Sequence, residues 1–542
     1  MPIPDLVLQT LGTESTADAC DRQAAERGDA EAVVDSRARL TWQALAEASD
    51  RVALALLELG AERGDVAFVQ LPTSADLFLV RVACEKAGLV LAAVPPTFGL
   101  AEVRALVAHL RPTVAITAGV LGDQDYAALL ADAAGDRAFR LVVRADAAPR
   151  GPTLAELAAR RPHAGTSFLQ RTRFTLFERA QVATTSGSTG VPKCAEVPSY
   201  ARALTGWCHS QRFGVRPGET LAAFTPLVAG TAEALVYHMV PRLGGRAVLL
   251  ERFDAAAACQ VLRRERAVGA VVVPTMLARL AREPANPEQF PALRFLASHG
   301  AALAPEHAQA VEARYGARIV QAYGASDYGG LAATAIDDPQ DVRWSTVGRP
   351  LDGSELRVVD DAGRDVPPGT VGRLLARGPY ALGGYYHDGA RSREAWRSGY
   401  FDLQEYAYQR PDGSYALAGR ARDLIIRGGQ NVFPVDVENL LARHPDVAEA
   451  AVIGMPDAEL GERVCAYVVP RDGRPPALAA LVAFLRAEGL ASFKLPERLE
   501  IVDRLPMVPT DNKVDKRRLA DDVRQKLAAE QNASAPSGRS NL

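Results

Sequence analysis

Thr184-Thr185-Ser186-Gly187-Ser188-Thr189-Gly190-Val191-Pro192-Lys193 packs five hydroxyls, two glycines and a lysine into ten residues, directly after the apolar Val182 and Ala183. Glycines let backbone N–H groups turn toward an anion, hydroxyls add donors and the lysine adds charge, so the stretch is suited to holding a polyphosphate. It is not a Walker A loop, because Gly187 to Lys193 lacks the required spacing and Cys194 follows the lysine. As composition alone, it also reads as a Ser/Thr/Gly surface loop.

The chain around it is long and evenly charged. Its 542 residues exceed one ordinary domain, and 48% hydrophobic against 23% charged residues is enough for large cores. A formal net charge of -3 with interspersed signs, and only 6% aromatics, predict no nucleic-acid partner. Six scattered cysteines without a C-x-x-C pair predict neither a disulfide framework nor a zinc site, and place the protein in a reducing cytoplasm. No apolar run approaches a membrane span, and the first residues show no basic-then-apolar leader pattern, so no membrane insertion is expected.

In chain order, residues 1–60 read as a first helix, a short strand pair and another helix. A buried strand at 66–71 feeds a helix at 74–87, and a second strand at 90–94 stops at Pro95-Pro96. The alternation returns with strands at 114–116, 141–143, 220–224, 247–250 and 270–273. This predicts an α/β protein with helices covering mostly parallel sheets. After about residue 345, short strands at 355–359, 372–376 and 414–417 joined by Gly, Pro and Asp turns predict a small β subdomain. Beyond Gly419-Arg420-Ala421-Arg422-Asp423 a helix, two strands, a helix and a strand form an α+β module. The expected division is a large domain over 1–420, stacked α/β sheets plus the β subdomain, a smaller domain over 421–527, and a disordered tail over 528–542.

The order T-S-G-S-T-G-x-P-K in the opening stretch resembles the phosphate loop of the adenylate-forming superfamily: acyl-CoA synthetases, peptide-synthetase adenylation domains and luciferases. The resemblance recurs from about residue 30 to residue 525. Gln321-Ala322-Tyr323-Gly324-Ala325-Ser326-Asp327 resembles the second nucleotide segment, Tyr-Gly-x-Thr-Glu at its usual end. Ser298-His299-Gly300-Ala301-Ala302 resembles the Gly-Gly-Ala-Pro segment. Gly399-Tyr400-Phe401-Asp402-Leu403-Gln404-Glu405 aligns without gaps to Gly-Trp-Phe-Arg-Thr-Gly-Asp, and Arg427-Gly428-Gly429-Gln430-Asn431 resembles the loop of the thioester-forming site. The run 372–438, with Gly383-Gly384-Tyr385-Tyr386, looks closest to the stand-alone aryl-acid-activating branch.

What the resemblance implies is specific. ATP would be held by Thr185, Ser186, Gly187, Ser188, Thr189, Gly190 and Lys193, by Gly300 and Ala301 beside adenine, by Tyr323 stacked on it, and by Gly324 and Ser326. Glu405 would clasp the ribose diol, Arg420 would touch ribose or phosphate, and Asp327 would hold Mg²⁺. Lys513 would bridge carboxylate and α-phosphate, which makes Lys513, Arg420 and Lys193 the catalytic set. Val228, Ala229, His299, Tyr323, Ala325 and Gly330 would line the acid pocket. Arg422 would be the hinge of a mobile C-terminal domain, and Gly428 and Gly429 would serve the thioester step. The partners implied are a small-molecule acid and CoA or a pantetheinyl acyl carrier protein, with a monomeric or homodimeric enzyme.

Several positions depart from the pattern. Asp327 stands where Glu is usual and Glu405 where Asp is usual. The segment Thr225-Pro226-Leu227-Val228-Ala229-Gly230 lacks the customary His, His299 stands at a glycine position, and Asn512 replaces a Gly beside Lys513. The preferred reading is an AMP-forming acid ligase acting on an aryl acid. Two alternatives are a nitrite-activating, ATP-dependent diazotase acting on an aryl amine, and a non-catalytic nucleotide-binding relative.

Overall fold

Strand and helix signals that alternate along the chain become layered sheets and helices in a computed structural model that describes residues 3–135, 139–144, 151–161, 163, 165–185, 193–228, 230–507 and 514–534, with residues 3, 4, 185, 472 and 531–534 described by backbone alone. The chain divides into two units. One comprises Met1–Arg357, Leu375–Leu403 and Asp412–Tyr415, and the other Val358–Leu374, Gln404–Pro411 and Ala416–Leu542.

In the first unit, a six-stranded sheet runs in the order Lys193–Pro198, Arg179–Thr185, Val90–Ala93, Val66–Gln70, Val114–Thr117, Arg140–Val143. Its pairs are parallel except the Arg179–Thr185/Lys193–Pro198 hairpin. A nine-stranded sheet has a parallel centre, in which Arg246–Leu249, Thr220–Ala223, Gly269–Val272, Phe295–His299 and Arg318–Ala325 pair in that order. The central strands are runs of Val, Ala and Leu because both of their faces are covered. Helix Ala75–Ala87 touches strands of both sheets, and all its residues except Asp76 are buried, so its charged Arg81, Glu85 and Lys86 are buried along with its apolar side chains. The core of the nine-stranded sheet gathers Phe224, Val272, Leu296, Val311, Tyr315 and Ile319.

The expected α/β architecture is therefore present, with differences at three places. Two helices, Ile3–Leu11 and Thr16–Arg27, precede the first strand where one was expected. They are separated at Ser15, whose side chain caps the second through a reciprocal bond with Asp18. The division expected after Arg420 is not a single cut, since 358–374 and 404–411 also belong to the second unit. Short strands stand where the β subdomain was expected, at Glu355–Val359, Gly372–Arg377 and Tyr415–Arg420. Finally, the tail expected from residue 528 is helical as far as Ser534. Leu519, Val523 and Leu527 on that helix pack with Tyr467 and Ile453, and this apolar stripe outweighs the polar composition that follows it. The second unit has its own core of Val437, Leu441, Val452, Val464, Ala466, Leu481 and Leu485. All six cysteines are free, and no helix among the described residues is long and apolar enough to cross a membrane.

One buried group makes the fold sensitive to acid. His209 lies on helix Ser199–Arg212, 2% exposed and stacked on Phe213 at 5.3 Å, and neither ring nitrogen has a hydrogen-bond partner among the described residues. Burial, then the nearby Arg212 and His299, lowers its pKa to about 3. The unfolded chain takes up this proton near pH 6.5 and the folded chain only near pH 3. Stability therefore falls as pH drops from about 6.5 toward 3. Replacing the ring with the neutral, similarly shaped one in His209→Phe is expected to flatten the slope of Tm between pH 7 and pH 5. An unchanged slope in thermal melts would refute the assignment.

Candidate active site

The site begins at the carboxyl ends of the parallel strands, where open α/β sheets place their ligands. Thr220–Ala223, Gly269–Val272, Phe295–His299 and Arg318–Ala325 all end on the same side, with His299 in register with Ala322. His299 is the last residue of its strand, and its Nε2 lies 3.4 Å from Thr225 Oγ1. A Cβ on Gly230 would sit 3.8 Å from its Cε1. Thus His299 faces the segment that lacks the customary histidine. Val228 in that segment is buried and its carbonyl accepts from Gln181 Nε2 at 3.2 Å, while the Leu227 carbonyl accepts from Arg81 Nη1 at 2.9 Å. Ala229 lies outside the described residues.

Strand Arg318–Ala325 turns back at once into Gly329–Ala333, so Ser326, Asp327 and Tyr328 occupy the connection. A bulge follows Tyr323, and Gly324 pairs with Gly330 so closely that a Cβ on Gly324 would meet the Gly329 carbonyl oxygen at 2.5 Å. Glycine is the residue that allows this close approach. Tyr323 is partly exposed, Ser326 is exposed, and Ala325 pairs with Gly329. Gly330 is buried, with its open side against Thr205 and Leu351. Gly300 and Ala301 follow His299 directly beyond the strand end.

Lys193, the last residue of the hydroxyl-rich stretch, pairs with Thr185 near its start. Ser186, Gly187, Ser188, Thr189 and Gly190 lie outside the described residues, and Thr185 is described by backbone only. Lys193 Nζ reaches Asp327 Oδ2 at 3.1 Å and stands 3.5 Å from Tyr385 Oη, which donates to the same carboxylate oxygen at 2.7 Å. Burial and the Asp327 charge push the Tyr385 phenol well above its ordinary value, so it stays a neutral donor. Cys194, next to the lysine, is pushed up to about 12 by burial and is no nucleophile.

In the second unit, Arg420 Nε stands 3.5 Å from Glu405 Oε1. Arg422 lies in the short turn Ala421–Asp423, more than half exposed and paired with Asp423 at 3.4 Å. Gly428 and Gly429 form the turn between Ile425–Arg427 and Gln430–Val432. Lys513 lies outside the described residues.

Some contributing residues escaped the sequence reading. Tyr385 has no expected role beyond its place in the run Gly383-Gly384-Tyr385-Tyr386. Arg81 and Gln181 donate to the 227 and 228 carbonyls and Glu233 accepts from Arg81, and the only local signal is an arginine inside a largely apolar helix. Gln404 is another, with φ 54 immediately before Glu405, at the position where the resembled motif has glycine. A left-handed non-glycine residue costs about 1–2 kcal/mol. Gln404→Gly is therefore expected to raise unfolding stability by up to ~1 kcal/mol once glycine's own entropy is set against the relief. Urea unfolding of the variant checks this, and a loss of stability would show that the Gln404 side chain outweighs the strain.

The AMP-binding enzyme family model matches residues 20–386, and the AMP-binding enzyme C-terminal domain model matches residues 436–513. A salicylyl-CoA synthase / salicylate adenylyltransferase from a Streptomyces species is 33% identical over 522 residues, 92% of each chain. A 2,3-dihydroxybenzoate-AMP ligase from Bacillus subtilis is 29% identical over 547 residues, 97% of this chain and 98% of its own. Among solved structures, the amide bond synthetase McbA from Marinactinospora thermotolerans superposes with a TM-score of 0.82 at 28% identity, covering 93% of this chain and 99% of its own.

Proposed function

Because the chain belongs to the AMP-binding enzyme family, we propose that it activates an aryl carboxylic acid with ATP and passes the acyl group to the thiol of CoA or of a pantetheinyl carrier. The observation that carries this reading is the meeting of Lys193 with Asp327, which brings the end of the hydroxyl-rich stretch to the adenine-and-metal segment. The aryl preference is supported by the two relatives named for salicylate and 2,3-dihydroxybenzoate. Both are named as enzymes acting on carboxylic acids, which supports the acid-ligase reading over the nitrite and non-catalytic ones.

In the first step a carboxylate oxygen attacks the α-phosphorus. The new O–P bond forms as the bond to the bridging oxygen breaks, and pyrophosphate leaves. Negative charge meets negative charge, so donors fixed in advance are worth most here. Lys193 would hold the outer phosphates and Lys513 the carboxylate and α-phosphate. Tyr323 would face adenine, Glu405 the ribose diol and Arg420 ribose or phosphate, while Val228, Ala229 and His299 would bound the acid. Among the described residues no group of three or more His, Cys, Asp or Glu side chains is arranged to hold a metal ion by itself. A single carboxylate such as Asp327 suits Mg²⁺, which keeps several waters and takes substrate phosphates. When bound, that ion would spread the charge of the phosphates. In the second step a thiolate sulfur attacks the acyl carbon, the carbon–oxygen bond to AMP breaks and AMP leaves. Gly428 and Gly429 would line this step, after turning at Arg422.

ATP–pyrophosphate exchange tests the reading. Salicylate, 2,3-dihydroxybenzoate or benzoate is expected to drive exchange well above acetate and decanoate, and exchange with none of the aryl acids would overturn it. In the same assay Lys513→Ala is expected to lower the rate at least about a hundredfold, the loss of ~3 kcal/mol that follows removal of one preorganised charge. Transfer from preformed adenylate should stay largely intact, and equal loss of both half-reactions contradicts the role.

A further inference from the structure

Asp327 Oδ2 accepts from two donors of opposite character. Tyr385 Oη is 2.7 Å away on a ring 8% exposed, and Lys193 Nζ is 3.1 Å away on a side chain 30% exposed. The backbone fixes the tyrosine. Tyr386 N donates to the Cys194 carbonyl at 2.7 Å and Glu196 N to the Gly384 carbonyl at 2.8 Å, so residues 384–386 run antiparallel beside strand Lys193–Pro198. The Tyr385 N–H is itself bound by Ser392 Oγ at 2.8 Å. The lysine's backbone is likewise held in its strand, but among the described residues its side chain lies over the Tyr385 ring at 5.4 Å from its centroid and is tied to Asp327 by a partly exposed ion pair, a weak kind of contact.

We propose that Tyr385 is a positioning residue for Asp327, and that Lys193 occupies Asp327 in the nucleotide-free enzyme, so that nucleotide and divalent cation bind jointly. The proposal rests on the adenylation reading only in taking Asp327 as the metal carboxylate. A cation approaching Asp327 while the ammonium is there meets a like charge, which lowers its affinity. Nucleotide phosphates offer Lys193 a stronger anion, and its departure leaves a carboxylate still aimed by the neutral Tyr385 hydroxyl. The tyrosine thus keeps the shorter Asp side chain in place through the exchange.

Mn²⁺ titrated into the nucleotide-free full-length protein, with free Mn²⁺ read by EPR, tests this without reference to turnover. Lys193→Met is expected to bind Mn²⁺ about fivefold tighter than the parent, the size of a partly exposed ion pair. Asp327→Asn should cancel that gain. Adding Tyr385→Phe, which keeps the ring packing, to Lys193→Met should weaken Mn²⁺ about tenfold through loss of a hydrogen bond to a charged group. Lys193→Gln serves as the second variant should the methionine protein fail to fold. Unchanged or weaker Mn²⁺ binding on removing the lysine overturns the proposal, as does a gain that survives Asp327→Asn. In pyrophosphate release, Tyr385→Phe alone should raise the KM for Mg²⁺ more than it lowers kcat, and a fall in kcat with unmoved KM also overturns it. Were the parent to release no pyrophosphate with any acid, the adenylation reading would fail while the Mn²⁺ titrations still decided this one.

Discussion

The ion pair between Arg81 Nη2 and Glu233 Oε1, at 2.6 Å with both side chains nearly inaccessible, is the contact on which the site's geometry depends. Arg81 belongs to the helix Ala75–Ala87 that touches both sheets, and Glu233 opens the wide helical turn Glu233–His238. Arg81 Nη2 also reaches Gln181 Oε1 at 3.0 Å and Nη1 reaches the Leu227 carbonyl, and the guanidinium lies 4.1 Å over the Tyr237 ring. Four separate pieces of chain therefore meet at one buried cation. Removing one member of a buried pair typically costs 3–5 kcal/mol, because the other charge is left without compensation. Such a pair contributes less to net stability than to uniqueness, and here it determines where the 225–230 segment stands relative to strand Arg179–Thr185.

This dependence explains what was legible in the sequence. Parallel strands covered on both faces announce themselves as short apolar runs, so Val66–Gln70, Val90–Ala93, Gly269–Val272 and their neighbours were readable within a residue or two. The compact second core was readable for the same reason. Helix Lys516–Ser534 has no counterpart in the sequence reading because its apolar residues, Leu519, Val523 and Leu527, are thinly spaced in a polar background. The site residues were legible only through ordered motifs. Tyr385 shows the limit. Its role follows from a backbone that runs beside Lys193–Pro198, a relation between residues 192 positions apart that no local pattern encodes.

Electrostatics is arranged in the same spirit at both sets of expected nucleotide ligands. Lys193 lies against Asp327 in one unit, and Arg420 against Glu405 in the other. A site built to receive a polyanion and a divalent cation contains both signs of charge. Without a ligand those charges neutralise one another at modest energy, since partly exposed pairs are weak. Weakness is an advantage here, as a strong internal pair would compete with substrate.

The exchanged acid lengths fit this view. Aspartate at 327 is one methylene shorter than the usual residue, but two donors come to it, and the tyrosine is delivered by a backbone already bonded to the lysine's own strand. Glutamate at 405 is one methylene longer, and it follows Gln404, whose left-handed φ of 54 stands where the motif has glycine. A strained position is retained where the surrounding structure over-determines it, and such positions cluster at binding residues. Read this way, the two swaps are separate local adjustments of reach: a short acid where its partner is brought in by the sheet, and a long acid beside a kinked strand, where it reaches Arg420 at 3.5 Å.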